Sequence, residues 1–267
     1  MRQAITIAGF DPSGGAGVLA DVKTMHAHGV YAAAVITAIT VQNTREVSDA
    51  VELPPSLVCA QAQALFDDFD IAAVKTGMLS SGEMVEAISD LLQTRAAQIP
   101  IVVDPVMRSE SGFPLLEDGV GTLRTRLLPH ARVVTPNLPE AQELAGGTIR
   151  SLDDMRAAAE RIAGLGASAV VIKGGHAAFA PAVDVLFENG ETRVFEPKSP
   201  VEKMKNVHGT GCTFASAIAA LLAEGRSVRE AVQSAKRYVE AVIASAPDIG
   251  GGDPPGEHFH YTSPWTA

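Results

Sequence analysis

Short apolar runs alternate with Ala-rich amphipathic segments along this chain, and that alternation restricts its fold more than any other feature. The runs at 4–8, 33–38, 72–75, 101–104, 133–135 and 169–173 are mostly apolar at every position and are bounded by Gly, Pro or polar residues. Strands covered on both faces need that pattern, whereas a strand with one wet face alternates. Between the runs, 17–28, 56–66, 83–97, 138–144, 152–165, 212–224 and 228–245 carry helical spacing. Strands alternating with helices predict a mostly parallel sheet with helices on both faces. Residues 183–196 differ, because Asn189-Gly190 lies between two β-rich runs. That is a hairpin signal and adds an antiparallel pair late in the chain. No linker divides the sequence, so a single domain over 1–267 is expected.

Composition narrows the partners. Apolar residues are 46% and charged residues 19% of the chain, which suits a packed core rather than disorder. Acidic residues outnumber basic ones, 31 to 21, for a net charge of −10. A nucleic-acid partner is therefore not expected. Anionic small molecules stay open, because helix N-termini bind phosphate through backbone N–H groups. Cys59 and Cys212 are too few for a disulfide scaffold and are expected as thiols in a reducing compartment. No apolar run approaches the roughly 18 residues of a membrane span, and no signal peptide is recognised, so a cytoplasmic location without membrane contact is expected.

Two Gly-rich turns carry the candidate chemistry. The first, from Gly9 to Gly17, joins the first strand to the first helix beside Asp11 and Asp21. It fits a loose dinucleotide pattern, but the expected acidic residue some 20 positions on is missing, which removes support for NAD. Its remaining implication is close approach of a small ligand to a strand end. No Gly-Lys pair exists, so a P-loop is excluded, and no paired-Cys or HExxH zinc motif is present. The second turn, Asn206-Val-His-Gly-Thr-Gly-Cys212, runs into an Ala-rich helix. Backbone N–H groups there lack helical partners, and glycines leave room for a phosphate. Cys212 falls in that first turn, where a thiol pKa is expected to drop. A plain capped helix, or a Cys212–His208 hydrolase pair, are the competing readings. Lys75, Asp104, Asn137, Glu140 and Lys173 all fall at or just after strand ends, where ligands of open α/β sheets bind. Acids for Mg²⁺, a lysine for charge and a helix N-terminus are the parts of phosphoryl transfer.

AGFDPSGGAGVLADVKT (8–24), TAITVQNT (37–44), VKTGML (74–79), DPVM (104–107), TPNLPEA (135–141), VIKGGH (171–176) and HGTGCTFASAIA (208–219) occur in one order over nearly the whole chain. With these stretches the chain resembles the hydroxymethylpyrimidine/phosphomethylpyrimidine kinases of thiamine biosynthesis, in the ribokinase-like superfamily. The resemblance implies a three-layer α/β/α sandwich, usually a homodimer, that uses ATP and Mg²⁺. It implies Gln42 as the residue that hydrogen-bonds the aminopyrimidine, with Ala16, Asp21, Met78 and Val106 walling the pocket. It implies Gly209, Thr210 and Gly211 as an anion hole, Cys212 as the base and Lys173 as the phosphate-neutralising lysine. Asp104 and Glu140 match the Mg²⁺-water ligands, Asn137 a neighbouring phosphate or metal contact, and loop 107–118 the lid.

The family often has Thr where Val207 stands, which loses a hydroxyl near the phosphates; Lys203 and Lys205 flank that loop and could compensate. No second catalytic segment follows, so a fusion is not expected. The runner-up is a pyridoxal or pyridoxine kinase. Such relatives use a second cysteine in the lid, whereas this lid carries Arg108, Ser109 and Glu110. A ligand sensor would lose Asp104, Cys212 or the glycines, and a sugar kinase would carry an aspartate in place of Cys212.

Overall fold

The computed structural model describes residues 1–175, 177–198 and 206–259. Its centre is a nine-stranded sheet of order β3-β2-β1-β4-β5-β6-β7-β8-β9. The strands are β1 (Gln3–Phe10), β2 (Tyr31–Gln42), β3 (Val47–Glu52), β4 (Ile71–Thr76), β5 (Ile101–Val103), β6 (Val133–Val134), β7 (Ala169–Ile172), β8 (Asp184–Glu188) and β9 (Glu191–Phe195). From β2 through β7 all pairings are parallel, and only the two ends are antiparallel. Parallel neighbours require crossovers, and the helices supply them: α1 (Gly17–Ala27), α2 (Pro55–Asp68), α3 (Gly82–Arg95), α4 (Val120–Thr122), α5 (Leu138–Ala145), α6 (Leu152–Ala163), α7 (Thr210–Ala223) and α8 (Val228–Ala244). The segment after α4 continues as irregular helical turns to His130.

Two apolar layers flank the sheet. One packs α2, α3, α5 and α6 against it through residues such as Ile7, Val74, Ile88, Leu127 and Ile162. The other packs α7 and α8 through Ala73, Val102, Val171, Phe214 and Val232. Helix α7 is buried over most of its surface, from Thr213 through Ala220. Its small residues permit this, since a helix covered on all sides can present no long polar face. The expected α/β/α sandwich is thus observed, and Asn189 and Gly190 take the positive φ values, 54° and 78°, of the expected hairpin turn.

Strand β3 leaves little mark in the sequence pattern. This edge strand carries Ser, Asp and Glu on a half-exposed ribbon and gives little apolar signal. It pairs antiparallel with β2, which continues well past residue 38 and carries Gln42 to its end. The tail is docked: His208 N donates to Pro254 O at 2.9 Å, and His258 is buried against Thr24. His176, Lys203 and Lys205 lie outside the described residues.

Candidate active site

The carboxyl ends of β1, β4 and β5, the residues just after β6 and β7, and the N-termini of α1 and α7 surround a cavity of about 150 Å³. That is room for one six-membered ring, the size of space that accepts a benzene, and too little for a nucleoside. Ala16, Gln42, Met78 and Val106 line it, together with Gly209, Gly211, Cys212, Asp104, Asn137, Glu140 and Lys173. Residues expected from seven separate stretches are therefore brought together. The lid contributes Arg108, Ser109, Glu110 and Leu115.

Three expected residues do not line the cavity: Asp21, Lys75 and Thr210. Asp21 is fully buried below the cavity floor. It accepts from Thr6 Oγ1 at 2.6 Å, Ser216 Oγ at 2.7 Å and Lys75 Nζ at 2.8 Å. Lys75 also leaves the strand-end group, because its side chain turns down to Asp21 with no exposed surface. Burial works against its charge, but Asp21, with Cys212 and Asp104 adding, outweighs this and raises its pKa. A lysine on a strand with both faces covered must find a partner inside the protein. Thr210 opens α7 without lining the cavity.

The glycines do two different jobs. Gly209 has φ of 80°, and a Cβ there would lie 1.9 Å from Gly15 O. It is a glycine because the two turns touch. Gly211 faces the cavity, where a Cβ would sit 3.2 Å from Lys173 Nζ and 4.0 Å from Asp104 Oδ2. It keeps the helix N-terminus open beside a lysine, as an anion site requires.

Lys173 Nζ donates to Asp104 Oδ1 at 3.0 Å, and Thr135 Oγ1 to the same oxygen at 3.0 Å. Burial lowers the Lys173 pKa, but Asp104 and Glu140 raise it further, so the net shift is upward. Glu140 moves up for the first of these reasons, burial, with Asp104 adding to it and Lys173 opposing. Asn137 caps α5 by accepting from Glu140 N at 2.9 Å, while Glu140 Oε2 accepts from Asn137 N at 2.8 Å. This capping box fixes the Glu140 carboxylate at the mouth of the site. Two buried carboxylates facing one cavity fit a divalent cation whose remaining ligands are water and phosphate. Among the described residues no cluster of three ligating side chains exists, so the chain alone makes no closed metal cage.

His208 and Asp11 form the cluster that the sequence reading underused. His208 Nε2 lies 3.0 Å from Asp11 Oδ2 and its Nδ1 3.4 Å from Glu110 Oε2 of the lid. Burial lowers the His208 pKa, but these carboxylates raise it, to about 9. Asp11 moves the other way: burial raises it, yet hydrogen bonds from His208, Ser13 and Ala16 bring it below the usual range. The Gln42 amide lies 2.8 Å from His208 Nε2 and 3.0 Å from Thr40 Oγ1. The Gln42 amide nitrogen is the atom beside His208 Nε2, and the Gln42 amide oxygen lies within reach of the Thr40 hydroxyl, which is also 3.0 Å from Phe10 O. One amide N–H and one lone pair of Gln42 stay available to a ring in the cavity. His208 is thus occupied by carboxylates and is no partner for Cys212, which removes the hydrolase reading.

The Cys212 expectation is corrected as well. Its pKa does not fall but is pushed up to about 12, chiefly by burial, with Asp21 and Asp104 adding and Lys75 opposing. The helix N-terminus is outweighed by the loss of water around the sulfur. Cys59 sits on α2, away from the cavity.

A family profile described as phosphomethylpyrimidine kinase matches residues 11–257. A hydroxymethylpyrimidine/phosphomethylpyrimidine kinase of Rhizobium meliloti is 48% identical over 261 residues, 96% of this chain and 97% of that protein. A thiamine biosynthesis bifunctional protein, ThiED, of Geobacter sulfurreducens is 47% identical over 256 residues; the match spans 96% of this chain but only 52% of that longer protein. Among solved structures, an ADP complex of Bacillus subtilis pyridoxal kinase superposes with a TM-score of 0.87 at 35% identity, over 98% of both chains. A phosphomethylpyrimidine kinase of Clostridium difficile gives 0.79 at 40% identity, over 90% of this chain and 98% of that one.

Proposed function

The chain belongs to the phosphomethylpyrimidine kinase family, and from that premise we propose that it phosphorylates 4-amino-5-hydroxymethyl-2-methylpyrimidine with ATP, and then the monophosphate to the diphosphate, in thiamine biosynthesis. The observation that carries this reading is the shape of the cavity. A ring-sized space has a bifunctional amide, Gln42, among its walls, and Lys173, Gly211 and Cys212 line the same space. Gln42 takes a ring nitrogen and the exocyclic amine, and Ala16, Met78 and Val106 sandwich the ring. The hydroxymethyl arm then points at Cys212.

The N–H groups of 209–211 and the Lys173 ammonium hold the nucleotide phosphates and neutralise charge as the phosphoryl group moves. Asp104 and Glu140 would hold Mg²⁺ through water, and that ion would supply charge neutralisation between the phosphates. Cys212 accepts the hydroxyl proton. The 107–118 loop covers the ring and excludes water. Two free thiols support a cytoplasmic setting. The cross-strand neighbours Ile39 and Val51 are 47% and 60% exposed on the β2–β3 ribbon, which supports a homodimer joined there.

Pyridoxal kinase is the second reading, favoured by the high superposition on the Bacillus subtilis enzyme. The lid has Arg108, Ser109 and Glu110 and no cysteine, which argues against it. ATP consumption with the hydroxymethylpyrimidine and with pyridoxal, side by side and with products identified by mass, tests the choice. A diphosphate from the pyrimidine is expected; preference for pyridoxal would overturn the proposal.

A further inference from the structure

Beneath Cys212 lies a buried charged pair that the reaction as described does not use. Helices α1 and α7 lie side by side in register. At the start of α1 the Gly17 backbone acts on the Cys212 thiol and favours its charged form. One turn further along both helices, Ser216 Oγ donates to Asp21 Oδ1 at 2.7 Å. Residues four apart share a helix face, so Cys212 sits directly above Ser216 and Gly17 above Asp21. From the sheet below, Lys75 of β4 and Thr6 of β1 donate to Asp21 Oδ2 at 2.8 and 2.6 Å. Neither Lys75 nor Asp21 has exposed side-chain surface. Gly77 keeps the space beside the ammonium, since a Cβ there would meet Lys75 Nζ at 2.8 Å.

A charged pair this deep is a poor way to gain stability, because two apolar side chains would do as well or better. Its position suggests another purpose. The charged groups that act electrostatically on the Cys212 sulfur are Lys75 from β4, Asp21 from α1, Asp104 after β5 and Lys173 after β7. Lys173 is engaged by Asp104 and faces the phosphate side. Lys75 is the cation on the opposite side, shielded from ligand and solvent.

We infer that Lys75 is a positioning residue for phosphoryl transfer: held by Asp21, it is the fixed countercharge beneath the Cys212 thiolate. This inference rests on the reading of Cys212 as proton acceptor. In that step the substrate O–H bond breaks and its proton goes to sulfur. The new O–P bond forms, the bond between Pγ and the bridging oxygen breaks, and ADP leaves with the electron pair. The sulfur must begin as thiolate, in a place where burial opposes a negative charge. A buried ammonium at constant distance offsets that cost without reorganisation, and it stays put through both phosphorylation steps.

The test uses the full chain with Cys59→Ser, so that Cys212 is the reactive thiol. The alkylation rate of Cys212 by iodoacetamide at pH 8 reports its thiolate fraction. One unit of pKa changes that fraction about tenfold. The doubly neutral variant Lys75→Met/Asp21→Asn, its folding checked by melting, should alkylate several-fold more slowly, because Lys75 acts on the sulfur more strongly than Asp21 opposes it. Its kcat should fall by a similar factor while KM for both substrates holds. A structural pair predicts the opposite, with both rates near wild type once both charges are gone, and that result overturns the inference. If the double variant does not fold, Asp21→Asn alone decides. With the opposing carboxylate removed, alkylation should speed up several-fold, and an unchanged or slower rate overturns the inference. Cys212→Ala separates the two levels. If its kcat stays near wild type, the proton-acceptor reading itself has failed. If its kcat collapses while the Lys75 variants behave as wild type, only the Lys75 inference has failed.

Discussion

Lys173 and Lys75 look alike in the sequence and live in different worlds in the fold. Each closes an apolar strand-like run and is followed within two residues by glycine. Lys173 emerges after β7, keeps 16% of its side chain exposed and pairs with Asp104 on the cavity wall. Lys75 is the fifth residue of β4, where β1 and β5 flank it and α7 packs above, and no solvent reaches it. Both are held charged by a carboxylate, but one carboxylate lines a ligand site and the other is sealed. A cation at a strand end becomes a ligand group only where the layer above it opens.

The comparison breaks most visibly at Lys173. Lys173→Met should lower kcat/KM about 10²–10³-fold, the range for losing one transition-state charge partner, with a modest change in melting temperature. A loss below tenfold would remove Lys173 from the phosphate site. Lys75→Met should divide its effect the other way. It strands the Asp21 carboxylate in the core, so denaturant unfolding should show a loss of about 3–5 kcal/mol. A near-neutral result would mean that Asp21 finds its proton or another partner readily.

The glycines that touch the two ammonium groups sharpen the contrast. A Cβ at position 77 would meet both Lys75 Nζ and Ala8 Cβ, at 2.8 and 3.0 Å, with packed strands around it. Gly77→Ala should therefore destabilise by about 1–3 kcal/mol as overpacking does. Gly211→Ala meets only the mobile end of Lys173, so its melting temperature should stay near wild type while the KM for ATP rises. Equal melting losses in both variants would erase the distinction between open and sealed sites.

The smallest effect concerns a half-buried cation at the other wall of the cavity, His208. Its pKa is raised from 6.5 to about 9, so its ion pairs with Asp11 and Glu110 stabilise the fold fully below about pH 6.5. That stability is lost as pH rises through about 9. Melting temperature should fall across this window in the wild type, and His208→Gln should flatten the slope. A slope that persists in the variant would assign it to another group.

Sequence patterning was enough for the layered architecture, since strands covered on both faces and amphipathic helices leave few alternatives. The hairpin at Asn189-Gly190 was legible for the same reason, because few residues adopt two successive positive φ values. The β3 strand was not, as its stability comes from pairing with β2 rather than from its own apolar content. Within the site, Asp104, Glu140 and Lys173 were legible through their place at strand ends and Gly211 through its Gly-rich turn, whereas Gln42 came from the family resemblance alone. Asp21 and Lys75 were misplaced, because sequence position cannot tell which way a side chain leaves a covered strand or helix. The charge state of Cys212 was misread too, since burial, with the Asp21 and Asp104 carboxylates brought from separate elements, outweighs a local helix end. Local patterning and motif order are properties of the chain and survive without the fold. Desolvation and pairing depend on what distant segments bring to within a few ångströms, and only the tertiary structure decides that.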